Sequence, residues 1–539
     1  MGVSLSNKRP EQIVTNLHYY ILTPLFTSLL TFIHLKCIIK KVIILLIISY
    51  FFIFKEEIIM GRRIPIWQIL VVLVVLIALL MWTILKTGGY VHIPLIIAGI
   101  VGAIVAIANG FKWAYIEKGI INNIGRSMQA ILILFTVGML ISAWIAGGIV
   151  PTMIYYGLML LSPGIFLVAT CLICCIVSLA TGSSWTTAGT VGIALIGVGA
   201  GLGISLPMAA GAIISGAYFG DKMSPLSDTT NLAPAMAGSN LFDHVRHMIF
   251  TTGPSLIISL ILFGILGMGH AGQDVDVSGV TALMDAMQDN FYISPILLIP
   301  PVLVIAMVVF KVPALPGLIG GVLLGIICSV AFQGGNIGDL VTITSYEGFA
   351  SDTGNEFVDN LLSRGGLSSM FYSTTLILCA MTIGGVLEST DMLKILVEKA
   401  LEYAKGTGSL VLITILTCFF CNIAASDQYL SIVLPGRMYK NAFEDRKLKN
   451  KNLSRILEDA GTLSSPLVPW NTCGTFQATT LGVPTLAYAP YCFLNLLNPL
   501  VSLFYGFTGI TMEKMTEEEY QAMLEQRKLD VELANKAMA

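Results

Sequence analysis

Between Ile66 and Leu85 the chain runs for twenty residues without a charged side chain. Coiled as a helix, that run crosses a hydrocarbon core of about 30 Å. Comparable stretches recur at 131–149, 164–179, 256–266, 293–310 and 315–330, with further candidates at 93–108, 190–219, 368–387, 407–425 and 484–509. By length they give about 10 to 13 transmembrane segments. They lack the period-two alternation of barrel strands, so the expected fold is an all-α polytopic membrane protein. With 55% hydrophobic and only 12% charged residues, the chain has too little charge to cover a water-facing surface.

A formal net charge of −2 and the lack of a basic aromatic patch give no sign of a nucleic-acid partner. The ten cysteines lie almost entirely within apolar segments and form no disulfide framework. Cys171-x-x-Cys174 and Cys418-x-x-Cys421 have metal-ligand spacing without a histidine close in sequence, so they read as small packing residues. Residues 1–59 do not match the rest of the chain: 42–54 is short for a span, whereas Met60 opens "MGRRIPIWQILVVLVVLIALL". Met60 is the expected natural start, and 1–59 an atypical extension set aside from the fold. The opening "MGVSLS" fits the N-myristoylation pattern, but such short matches are common and one acyl chain adds little to a polytopic protein.

The segment 269–292 carries Asp274, Asp276, Asp285 and Asp289 with no Lys or Arg, and reads as an acidic external linker between two groups of spans, 60–268 and 293–510. A charged tail, 511–539, follows. Late in each group an apolar segment is interrupted by small polar residues, and an acidic segment containing "SPL" comes after it. The first group has "ATGSSWTTAGT" (180–190) and "GDKMSPLSDTTN" (220–231); the second has "AASDQYLS" (424–431) and "EDAGTLSSPLVPWNT" (458–472). Ser183 precedes Ser224 by 41 residues and Ser426 precedes Ser465 by 39, an internal repeat of the kind that builds secondary transporters. Between the second pair, 437–455 holds seven Arg or Lys, and the equivalent "GVGAGLGISLP" holds none. Cationic loops stay in the cytoplasm, so the two repeats are expected to be inverted, with broken or re-entrant helices.

An ionised aspartate at the bilayer centre costs about 2.5 to 3.5 kcal/mol, so Asp221 and Asp228, eight residues apart inclusively, need a reason to be there. Lys222 does not answer Asp221 on a helix, because neighbours at i and i+1 face different ways. Pro225 removes a backbone donor and the surrounding Ser, Asp and Thr side chains compete for local hydrogen bonds, so the helix is expected to open here. Opened backbone at membrane depth is tolerated only inside protein or along a cavity. Such breaks offer the oxygen ligands that a small hard cation prefers. The candidates are Asp221, Asp228, Thr229, Thr230 and Asn231; Ser183, Ser184 and Thr187; and, from the other half, Asp427, Asp459, Asn471 and Thr472, with Pro466 and Pro469 as breakers. Asp228 and Asp427 are the expected transient Na⁺ ligands. Structural alternatives stand beside these: a single hydroxyl often only bonds a helical carbonyl, Asp221 has Lys222 or Arg246 as other partners, and Asp459 reads equally as a solvated helix start. His244 and His247 read as interfacial histidines. No P-loop or catalytic signature is present, so neither an ATP-driven pump nor an enzyme is expected, and no cofactor beyond transported Na⁺ and H⁺.

The stretch from Thr181 to Met248, and above all "GAYFGDKMSPLSDTTNLAP", resembles the NhaC family of sodium/proton antiporters, and the similarity continues from Met60 to about residue 510. The resemblance implies a superfamily whose inverted repeats carry broken helices, with Na⁺ and protons as partners, in the cell membrane of a bacterium. Some members exchange malate and Na⁺ for lactate and protons, and "SDTTN" (227–231) and "WNT" (470–472) look like the clusters that hold carboxylates in dicarboxylate transporters. Two exchange chemistries are then open. In the first, Na⁺ and H⁺ take turns on the same carboxylates. In the second, those acids bind Na⁺ while hydroxyls and helix N-termini hold a small organic carboxylate. No arginine lies inside the polar segments to clamp a carboxylate, which favours the first. A channel or a membrane scaffold is disfavoured by the paired breaks.

Overall fold

Twenty charge-free residues in a row leave the backbone no water to bond, and helices satisfy it internally. The computed structural model describes residues 63–87, 89–271 and 277–538. The expectations for 1–59, including the start at Met60 and the myristoylation pattern, lie outside these residues. The chain divides into two units, Met1–Arg63 and Ile64–Ala539. The second unit contains no β-strand among the described residues. Among the described residues, six helices are long and apolar enough to cross a membrane: Trp113–Ala146, Pro163–Thr181, Leu241–Gly269, Ala314–Phe332, Leu367–Ser389 and Thr407–Ala424. Val280–Asn290 with Pro295–Val309, bent by 95°, and Thr485–Tyr491 with Phe493–Thr508, bent by 58°, raise the number to eight if each pair is one span. Ile66–Trp82, His92–Ala108 and Ile149–Leu160 are shorter apolar helices. Helices interrupted at polar residues escape a length criterion, which is why the count of uninterrupted spans falls below the count of apolar segments. Part of the acidic linker is itself helical, Val277–Asn290.

Small residues bring the helices close. Leu206–Met223 lies against Pro163–Thr181 along Gly216 and Gly220, where a Cβ would run into the Cys171 carbonyl and the Ser178–Leu179 backbone. This is the small-xxx-small packing of membrane helices. The Ser178 hydroxyl donates across the contact to the Ala217 carbonyl at 2.5 Å. Cys171, Cys174, Cys418 and Cys421 are buried and free. Leu241–Ala271 shows both of its environments: Ile257, Ile261 and Ile265 are exposed at four-residue spacing, a face for lipid. On its inner face Ser255 and Ser259 are buried and bond the carbonyls four residues back at 2.8 and 2.7 Å. The Trp144 indole donates to the Gly321 carbonyl at 2.9 Å, linking Trp113–Ala146 to Ala314–Phe332.

Four interruptions define the interior. Pro163–Thr181 ends at Gly182, and Ser183 caps a new helical turn. Leu206–Met223 ends at Ser224, and helix Asp228–Ala237 starts after Ser227. In the other half, Thr407–Ala424 stops before Ser426, which lies at φ 61°, and Asp427 caps Gln428–Glu444. Asn450–Ile456 continues through a π-helical turn, Leu457–Thr462, and a 3-10 turn, Ser465–Leu467, before Asn471 caps Thr472–Leu481.

Candidate functional site

Within each half the two interruptions touch. Gly182 lies at φ 67°, and a Cβ there would come within 2.8 Å of Leu226 and 2.9 Å of the Ser227 nitrogen, so only glycine fits both the left-handed backbone and the crossing. In the second half the Thr472 N–H donates to the Ser426 carbonyl at 3.1 Å. The halves meet through Trp185 and Phe476, whose rings stack at 4.1 Å between centroids.

The breaks surround a cavity of about 540 Å³. Ser183, Ser184, Asp221, Asp228, Thr229, Asp427 and Thr472, all singled out in the sequence, line it. Asp221 accepts hydrogen bonds from the Ser184 and Ser227 hydroxyls, each 2.6 Å. Asp228 opens the first turn of its helix after Ser227. Asp427 caps its helix by accepting from the Leu430 N–H at 2.8 Å. Both stand at the positive end of a helix dipole, which accommodates a negative charge without a basic partner.

Five other candidates stand behind the wall. The Thr187 hydroxyl donates to the Ser183 carbonyl at 2.9 Å. Thr230 donates to the carbonyls of Asp221 and Lys222 at 3.0 and 2.9 Å, satisfying acceptors left open where the helix ends. Asn231 braces the break through the carbonyls of Pro225 and Ser227 at 2.9 and 2.7 Å. Asn471 donates to the side chain of Asn422 at 3.0 Å and accepts from the Cys473 N–H at 3.0 Å. Asp459 is neither solvated nor on the cavity. It is fully buried and ion-paired with Lys222, and it accepts from the Thr251 hydroxyl at 2.9 Å. Asp221 pairs with neither Lys222 nor Arg246.

The cavity also has members absent from the sequence expectation. Arg126 and Lys311 line it, and Arg126 is held by both carboxylate oxygens of Glu388 at 2.6 and 2.7 Å. Gln428 and Tyr429 follow Asp427 into the wall. The Ser127 hydroxyl is there too, buried and without a partner. Three carboxylates face two cations, one of which Glu388 already neutralises, so the balance is negative. Among the described residues no group of three or more His, Cys, Asp or Glu forms a metal centre. What the arrangement offers is an acid-rich chamber lined by oxygen ligands of the kind a hard cation prefers.

Interrupted helices that meet at an acid-lined chamber inside a membrane bundle are the architecture of secondary transporters. Comparison with known proteins narrows this class. Residues 216–510 match the Na⁺/H⁺ antiporter family. The chain is 39% identical to the Na(+)/H(+) antiporter NhaC of Alkalihalophilus pseudofirmus, over 84% of its own length and 98% of that protein. It is also 39% identical to the malate-2H(+)/Na(+)-lactate antiporter of Bacillus subtilis, over 83% and 96% of the two chains. A further 39% match is the arginine/ornithine antiporter ArcD of Halobacterium salinarum, over 78% and 86%. The chain belongs to the Na⁺/H⁺ antiporter family.

Proposed function

We propose that this chain exchanges Na⁺ for H⁺ across the cell membrane, and that both ions are bound in the cavity between the breaks. The observation that carries the reading is the convergence of Asp221 and Asp228 from one half with Asp427 from the other on one chamber. Na⁺ enters as protons leave these carboxylates, and protons return as Na⁺ departs on the other side. Exchange is obligatory because the chamber is acid-rich: emptied of both ions it would hold several uncompensated carboxylates at membrane depth, which is costly. Two inverted repeats, 60–268 and 293–510, would move against each other around the chamber to alternate its access. The hydroxyls of Ser184 and Ser227 hold Asp221 in place, and Thr230, Asn231 and Asn471 keep the breaks open.

A second reading has its own support. Lys311 on the wall supplies a cation for a carboxylate substrate, with Arg126 beside it should Glu388 release it, and a chamber of about 540 Å³ exceeds the needs of Na⁺ alone. One relative is a malate/lactate antiporter. In everted vesicles carrying a pH-sensitive dye, NaCl is added first and malate or lactate second, for the wild type and Asp228→Asn. A dye response to NaCl alone that disappears in the variant supports Na⁺/H⁺ exchange at this site. A response that appears only with the organic acid supports the second reading, and an undiminished response in Asp228→Asn refutes the site.

A further inference from the structure

Asp221 and Lys222 are consecutive, yet they serve different compartments. Asp221 faces the cavity, and Lys222 points away into a second polar cluster, fully buried, where it meets Asp459 and donates to the Asn498 side-chain oxygen at 3.0 Å. Glu458 belongs to that cluster. It lies in the π-helical turn Leu457–Thr462 and is 0% exposed; its neighbouring donor is the Thr462 hydroxyl, four residues on, and the two are adjacent without forming a well-aligned hydrogen bond.

An ionised carboxylate sealed from water with no more than one poorly aligned hydroxyl beside it is a costly way to bury the group. Charge bookkeeping points the same way. The cluster holds two cations, Lys222 and Arg455, and Asp459 engages both, Lys222 directly and Arg455 at 3.8 Å. The charged and titratable neighbours of Glu458 are Lys222 and Asp221 on Leu206–Met223, Asp459 beside it, and Cys418 on Thr407–Ala424. From the other helices packed on this turn, Tyr439 of Gln428–Glu444 is occupied with Thr417 at 2.6 Å, and Phe493–Thr508 contributes the amides of Asn495 and Asn498. The second acid in reach of Lys222 is Glu458, whereas that of Arg455 is Glu513.

We propose that Glu458 is a proton-carrying residue of the exchange cycle, separate from the cavity carboxylates. With the proton on, Glu458 is a neutral acid and Lys222 belongs to Asp459. Release requires the turn to open to solvent during the cycle; when the proton then passes to water, the carboxylate that remains draws the Lys222 ammonium, which keeps its own protons throughout. Lys222 moves the backbone at the 224–227 break, and Asp221 and Ser227 move with it. One peptide step thereby joins proton release in the buried cluster to Na⁺ binding in the chamber. Bistable elements of this kind are how a local charge change is transmitted. A π-helical turn, wider than an α-turn and common at functional positions, is a suitable seat for such a group.

The proposal rests on Na⁺/H⁺ exchange, and the two fail differently. Full-length protein in proteoliposomes is assayed for Na⁺-driven proton movement and, separately, for exchange of radiolabelled Na⁺ against unlabelled Na⁺, which needs no net proton transfer. Silence of the wild type in the first assay defeats the exchange reading. With the wild type active, Glu458→Gln, fixed in the neutral form, is expected to lower proton movement at least about tenfold and to leave a weakened label exchange with a displaced pH profile. Proton movement at the wild-type level in Glu458→Gln overturns the proposal, and so does label exchange that keeps the wild-type rate and pH profile. Glu458→Asp keeps an acid on a shorter stem and is expected to exchange with a displaced pH profile. An unchanged profile there also overturns the proposal, whether or not Glu458→Gln folds.

Discussion

Lys222 and Asp459, separated by 237 residues, form an ion pair with both side chains fully buried. It ties the last turn of Leu206–Met223 to the π-helical turn that precedes the second half's final break. Neither side chain reaches water, so each depends on the other for its charge.

Removing one member strands the other, which typically costs about 3 to 5 kcal/mol, whereas replacing both with apolar groups is often nearly neutral. Lys222→Met and Asp459→Leu should each lower the melting temperature in detergent sharply, and the double variant should recover most of the loss. Differential scanning fluorimetry of the three proteins checks this. Additive losses in the double variant would show that the pair is not coupled.

Asp427 combines two duties that substitution can separate. Asparagine caps a helix as well as aspartate does, whereas alanine forfeits about 1 kcal/mol. Asp427→Asn should melt like the wild type and Asp427→Ala lower, while both lose Na⁺-driven proton movement. Thermal melts paired with the dye assay distinguish the cap from the carboxylate.

Gly182 is constrained by its positive φ and by the nearness of Leu226 and Ser227. Gly182→Ala should lose about 1 to 3 kcal/mol from the strained backbone, with further loss where the crossing must spread. Gly203→Ala serves as a control: that glycine shares a positive φ, but nothing lies within 4 Å of its added Cβ. The melting temperature should fall more for Gly182→Ala than for Gly203→Ala.

The C-terminal tail neutralises the basic loop. Leu448 and Lys514 form an antiparallel bridge, with ion pairs Lys447–Glu517 at 2.5 Å, Lys449–Glu519 at 2.9 Å and Lys451–Glu513 at 2.6 Å. The hydrogen bond from Lys447 holds Glu517 below the ordinary carboxylate range, and that from Lys449 does the same for Glu519. These pairs are complete above about pH 4.3, the ordinary glutamate value, and are lost as pH falls through the depressed values. Being exposed, they weaken with salt. Trypsin cleavage near Arg527 and Lys528 should therefore accelerate in about 1 M salt, where the screening length is about 3 Å, and remain constant between neutral and mildly alkaline pH.

Much of this was legible residue by residue. Pro225, flanked by hydroxyls and acids, announced an opened helix, and i, i+1 geometry kept Lys222 from Asp221. The partner that Lys222 does choose could not be read, because nothing local links position 222 to 459. Arg126 was missed for a related reason. It sits in a 34-residue helix outside the polar segments, and the only signal was a polar stripe at Asn123, Arg126 and Ser127 with helical spacing. Thr230, Asn231 and Asn471 carry the same oxygen chemistry as ligands, but the backbone of the breaks engages them, and sequence does not distinguish an oxygen that holds an ion from one that holds a carbonyl.

The central claim is that Na⁺ and H⁺ occupy the same chamber of carboxylates in turn. Purified protein in weakly buffered detergent solution, titrated with NaCl against a choline control while pH is recorded, tests it directly. Wild type should release protons as Na⁺ binds, and the release should vanish when Asp221, Asp228 and Asp427 are all changed to asparagine. Saturable Na⁺ binding with no proton release at any pH between about 4 and 9, a range spanning ordinary and raised carboxylate values, would contradict it.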